Sequence, residues 1–81
     1  MPKPQKRLPS DLPRAKVLAA VKRLGFALDR EGSKHSVYKD PADPSRAPMV
    51  IPRHSQVKKH LLQAILAGAG VSEEAFMAEY R

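Results

Sequence analysis

Residues 26–39 read Phe26-Ala27-Leu28-Asp29-Arg30-Glu31-Gly32-Ser33-Lys34-His35-Ser36-Val37-Tyr38-Lys39, and their pattern decides the fold. Phe26, Leu28 and Arg30 alternate with Ala27 and Asp29, the period-two signature of a strand. Glu31–Gly32–Ser33 interrupts the alternation with turn-forming residues. His35 to Lys39 then reads as a second strand, so the stretch predicts a β-hairpin. On its N-terminal side, Val17, Leu18, Val21 and Leu24 recur at helical spacing. Pro13 suits a first helical position and Gly25 a C-terminal stop. Arg14, Lys16, Lys22 and Arg23 fall in other directions and predict a basic exposed face.

On the C-terminal side, Asp40–Pro48 contains three prolines and no period, the composition of a loop. Met49–Pro52 reads as a brief third strand. Ser55 suits the N-cap of a second helix, whose apolar stripe would be Val57, Leu61, Leu62, Ile65, Leu66 and Ala69, ending near Gly68–Gly70. Ser72 suits the cap of a final short helix, with Glu73 and Glu74 complementing its positive end. Phe76 and Tyr80 lie four apart and are expected to fold back onto the body. Strands grouped between helices give an α+β class, an antiparallel sheet with helices on one face.

Eighty-one residues allow one small domain. With no cysteine, a disulfide framework and a Cys-based zinc site are excluded. No apolar run approaches the roughly 20 residues of a membrane span, and the start lacks the apolar stretch of a signal peptide. A cytoplasmic protein without membrane attachment is therefore expected. Its net charge is +7, which points to polyanionic or acidic partners. The charge is uneven: residues 1–25 carry seven basic residues and one acidic, whereas residues 72–81 carry one and three. Residues 1–12 combine Lys3, Lys6 and Arg7 with prolines and are expected to form a basic, Pro-rich arm. That arm reads either as a phosphate-tracking device or as a solvated tail.

Chemistry-bearing patterns are few. There is no P-loop, dinucleotide fingerprint, HExxH or nucleophile elbow. His35, His54 and His60 match no metal-ligand spacing, so neither metal nor cofactor is expected. His35 opens a strand directly after Gly32–Ser33–Lys34. A neutral imidazole, with a reference pKa of about 6.5, is the side chain best suited to take a proton from a ribose 2′-hydroxyl. Lys34 and the backbone N–H of Gly32 are placed to stabilise developing phosphate charge. The same residues also read as an exposed hairpin with a merely polar histidine. Arg53 and His54 precede Ser55, where a helix N-terminus would complete an anion site; a plain capping turn fits equally well. Lys58, Lys59 and His60 read as the solvated face of the second helix, with phosphate contact as a secondary role. Tyr38 reads either as a base-stacking ring or, at the end of a strand, as a core or half-buried residue.

Four stretches in order carry a family resemblance. They are Leu24–Gly25–Phe26, Arg30 through Tyr38, Val50 through Ser55, and Leu62 through Ser72 followed by Glu73–Glu74–Ala75–Phe76. Over about residues 14–76 the chain resembles HicA-type toxins of HicA–HicB toxin–antitoxin pairs, which are small mRNA-cleaving endoribonucleases. The resemblance implies a double-stranded-RNA-binding-like fold, α-β-β-β-α, with a three-stranded antiparallel sheet on two helices and residues 13–81 as one RNase domain. It also implies a metal-independent nuclease whose catalytic histidine starts the second strand, here His35, three residues before Tyr38. The family often has that histidine directly after Gly–Ser, whereas Lys34 intervenes here. His60 stands where the family usually has a small residue.

The expectation is thus a toxin that cleaves mRNA with His35, a monomer when free, neutralised by a HicB-type antitoxin. Gly32, Ser33, Lys34, Arg53, His54, Lys58 and Lys59 are the expected RNA-binding residues. The rival reading from another class is a non-catalytic RNA-binding module of the same fold.

Overall fold

The apolar stripe after Pro13 forms helix α1, Arg14–Arg23, in a computed structural model that describes residues 8–80. The Phe26 N–H reaches the Val21 carbonyl and the Gly25 N–H that of Lys22, the paired bonds of a Schellman ending. Gly25 has φ of +100°, a conformation glycine alone adopts without a steric penalty. Phe26 is thereby turned into the core beside Val21.

The hairpin follows as strands β2, Ala27–Glu31, and β3, His35–Lys39. Their antiparallel register pairs Leu28 with Tyr38 and then Arg30 with Val37, which leaves Asp29 as the extra residue of a bulge. Strand β4, Met49–Pro52, pairs with β3 through Ser36↔Ile51 and Tyr38↔Met49, so the sheet order is β2-β3-β4. Alternation sends Ser36, Tyr38, Met49 and Ile51 to the buried face, whereas His35, Lys39 and Val50 are exposed.

Two further strands have no counterpart in the expected α-β-β-β-α order. Asp11–Pro13 forms β1 and Gln56–Lys58 forms β5, paired antiparallel with Leu12 opposite Val57. Helix α2 therefore spans Lys59–Ala69 and begins four residues after Ser55, correcting the expected N-cap. Val57 fitted the helical stripe by spacing alone; its buried position comes from pairing with Leu12. Residues 8–12 of the expected arm join the body, because Leu8 and Leu12 are core residues. The remainder of that arm, residues 1–7, lies outside the described residues.

The core is a single cluster. Val17, Ala20 and Val21 of α1 meet Leu62, Leu66 and Ala69 of α2 and the buried sheet face. Gly70, with φ of +72°, ends α2, and the Val71 N–H reaches back to the Leu66 carbonyl. Helix α3, Glu73–Glu79, is capped by the Ser72 hydroxyl, which accepts from the Ala75 N–H at 3.0 Å. Phe76 is the largest fully buried side chain and stacks on Tyr80 with ring centroids 5.6 Å apart. Burial of one such ring contributes about 2–3 kcal/mol towards docking the seven-residue helix on the body. Lys16 lies over the Tyr80 ring and Arg23 donates to the Glu79 carbonyl, which joins α1 to α3. Among the described residues, no single helix is long and apolar enough to cross a membrane.

Candidate functional site

The hairpin loop between β2 and β3 is Gly32–Ser33–Lys34, one residue further along than Glu31–Gly32–Ser33, with Glu31 as the last residue of β2. The Gly32 N–H donates to the His35 carbonyl at 2.8 Å, closing the loop directly before the histidine. A Cβ on Gly32 would stand 3.3 Å from that same carbonyl oxygen, so the close approach uses the missing side chain. The Gly32 N–H is committed to this bond, which withdraws it as a free donor for an anion. His35 is exposed at the start of β3 and pairs across the sheet with Pro52.

That pairing brings the end of β4 to the hairpin. The Arg53 N–H donates to the Lys34 carbonyl at 3.0 Å, and Arg53 Nη1 donates to the Gly32 carbonyl at 3.1 Å. Residues far apart in sequence thus line one open cleft of about 420 Å³: Ser33, Lys34 and His35 from the hairpin, Pro52, Arg53 and His54 after β4, and Leu61 from α2. Two histidines, one lysine and one arginine therefore share the same concavity. Leu61 contributes an apolar wall; it was expected only as part of a helix stripe. A hollow of about 480 Å³ lies at the other end of the hairpin, between Leu28, Lys39 and the 40–48 loop, and no histidine lines it.

Other expected residues fall elsewhere. Lys58 belongs to β5, not to the second helix, and forms an ion pair with Asp11 at 2.9 Å. Lys59 opens α2, its N–H bonded to the Ser10 carbonyl. Neither lines the cleft. Because α2 starts at Lys59, its N-terminal N–H groups do not directly follow His54, and the expected helix-terminus anion site is replaced by β5. Arg14, expected on a basic exposed face, is turned inward: its Nε donates to the Pro52 carbonyl at 2.9 Å and its Nη2 to Ser36 Oγ at 2.8 Å. Nothing in the spacing of Arg14 signals this, because its partners lie on two other strands.

Charge elsewhere serves the scaffold. Arg46 Nη1 is 2.8 Å from Asp40 Oδ2, and its guanidinium lies 4.2 Å from the centre of the Phe26 ring. The Arg46 hydrogen bond, helped by the Ala42 N–H, lowers the Asp40 carboxyl below its ordinary value of 3.8. Burial raises the Tyr80 phenol above its ordinary 10.0. Among the described residues, no three His, Asp or Glu side chains gather as a metal-binding group.

A family model described as the HicA toxin of bacterial toxin–antitoxin matches residues 14–71, well over half of the 81. This chain belongs to the HicA toxin family. The match contains α1, the three-stranded sheet, every cleft-lining residue and α2; β1 and α3 lie beyond it. The matched segment thus carries the whole cleft, and Leu12, which lies before it, pairs with Val57 inside it. No curated protein matches the chain.

Proposed function

We propose that this HicA-family toxin is a metal-independent endoribonuclease that cleaves mRNA in the cytoplasm and is neutralised by a HicB-type antitoxin. The observation that carries the reading is the convergence of His35, Lys34, Arg53 and His54 on one exposed cleft. His35 takes the proton from a ribose 2′-hydroxyl, and the 2′-oxygen bonds to the adjacent phosphorus. The bond from phosphorus to the 5′-oxygen breaks, leaving a 2′,3′-cyclic phosphate. A proton returns to the 5′-oxygen from His54 or from protonated His35. Lys34 and Arg53 stabilise the charge on the non-bridging oxygens during transfer. Ser33 and the Gly32 turn shape the strand's path past His35. The more distant Lys58 and Lys59 add a general pull on the phosphate backbone.

The open cleft suits a single strand, since an extended chain exposes its 2′-hydroxyl for in-line attack. Membership of a toxin family supports a partner that silences the protein, and the cationic surface suits an acidic covering one. The free chain is expected to be a monomer.

The test is incubation of purified protein with labelled single-stranded RNA in EDTA. Cleavage is expected with the wild type and none with His35→Ala, whose melting temperature should stay within a few degrees. A 2′-deoxy substitution at the cut position should block that cut. If His35→Ala still cuts, the assignment of the base is wrong. RNA that is bound yet intact at high protein concentration points to the binding-module reading, and cleavage that needs a divalent ion sinks the proposed chemistry.

A further inference from the structure

Ser36 is the one buried polar residue among those described, with no exposed surface. It lies on the inner sheet face, directly between Glu31 on β2 and Ile51 on β4. Its hydroxyl accepts from Arg14 Nη2 at 2.8 Å and donates to Glu31 Oε1 at 3.1 Å. Arg14 is fixed in turn by the Pro52 carbonyl at 2.9 Å. The second Glu31 oxygen faces Arg53 Nη1 at 3.7 Å, and that same nitrogen donates to the Gly32 carbonyl at 3.1 Å. A continuous polar chain therefore runs from the first turn of α1, through the sheet, to the guanidinium at the cleft.

We infer that Glu31 is the positioning residue of this cleft. Ser36, itself held by Arg14, donates to one of its carboxylate oxygens, and the other keeps Arg53 beside the hairpin turn. The inference rests on the ribonuclease reading for its catalytic consequence, but the tether itself is testable without RNA. An arginine on a half-exposed surface otherwise spreads over many rotamers, and a guanidinium stabilises a transferring phosphate only when it is already in place. Glu31 is a poor candidate for a purely stabilising role. It and Arg53 have side chains 46% and 43% exposed, respectively, and ion pairs at that exposure add little to folding. The bond that the other Glu31 oxygen accepts from Ser36 is the structural part, since breaking the Arg14–Ser36–Glu31 chain at any member leaves a covered polar group unpaired.

Glu31→Gln separates the two effects, because the amide oxygen still accepts from Ser36 while the charge facing Arg53 is lost. In the free protein, nitrogen-15 NMR should show slowed rotation of the Arg53 guanidinium about its Nε–Cζ bond, and faster rotation in Glu31→Gln. With RNA, Glu31→Gln should lower kcat about fivefold, the scale of one half-exposed ion pair. KM should not rise, because a negative charge has left the path of a polyanion. Adding Glu31→Gln to Arg53→Ala should cost nothing further, since the positioned group is already gone. Equal Arg53 rotation in wild type and Glu31→Gln overturns the inference, as does a loss additive with Arg53→Ala. If the wild type leaves RNA intact, the ribonuclease reading fails by itself and the NMR comparison still decides the tether.

Discussion

Leu12 faces Val57 across the two-stranded β1–β5 ribbon, and neither side chain retains any exposed surface. This contact fastens the chain before α1 to the entry of α2, outside the three-stranded sheet that carries the cleft. Leu12→Ala would leave a cavity in the core beside Val57 and should cost about 2–5 kcal/mol. Chemical denaturation of the purified variant measures this, and a change below 1 kcal/mol would show that the ribbon is dispensable.

The 40–48 loop is held by one arginine with three partners. Arg46 meets Asp40, the Phe26 ring and the Leu24 carbonyl, the last at 3.3 Å. Arg46→Ala should destabilise the fold by about 1–2 kcal/mol, the combined scale of a part-covered ion pair and a cation–π contact. Arg46→Lys should recover less than half of that, because a compact ammonium cannot lie over Phe26 while bonding both Asp40 and the Leu24 carbonyl. Thermal unfolding of the two variants side by side is the check.

The same pair predicts an acid-sensitive contribution. Asp40 has a folded value lowered below its ordinary 3.8, chiefly by the Arg46 hydrogen bond. The folded state therefore favours the ionised carboxylate, which adds stability above the ordinary value. That contribution fades as pH falls through the lowered one. Wild type and Asp40→Asn should differ most in melting temperature near neutral pH and converge in strong acid. A difference independent of pH would show that Asp40 acts through shape and not charge.

At the hairpin, Gly32→Ala places a methyl 3.3 Å from the His35 carbonyl oxygen. The turn must shift by a few tenths of an ångström, and His35 follows directly. Since catalysis is sensitive to such displacements, RNA cleavage should fall about tenfold or more while stability changes by less than about 1.5 kcal/mol. Cleavage assays paired with thermal melts distinguish this from general unfolding. Full activity in Gly32→Ala would mean the turn can relax away from the histidine.

Much of this arrangement was legible in the residues. The period-two pattern of 26–39 located the hairpin, and Gly25 and Ser72 marked helix ends that the structure confirms. Local geometry fixes such features, so local sequence announces them. That Lys34 intervenes before His35 was visible, and the residue lies within the loop. What stayed hidden depends on contacts between distant segments. Val57 stands four before Leu61, so helical spacing claimed it, and only its pairing with Leu12 makes it a strand residue. Arg14 looked like one more surface cation until Pro52 and Ser36 were seen to hold it. Glu31 looked like a turn residue for the same reason.

The α+β class, the family, and the chemical inventory of a basic chain whose candidate proton acceptors are histidines can all be read from the residues alone. Short-range periodicity, glycine conformation and side-chain type suffice for these. Which cations stand beside His35 depends on how the strands pair. Arg53 reaches the hairpin because β4 pairs with β3, whereas Lys58 is drawn off to Asp11 by β5. Strand pairing is a long-range choice made by burial and register over the whole chain, and no local window encodes it.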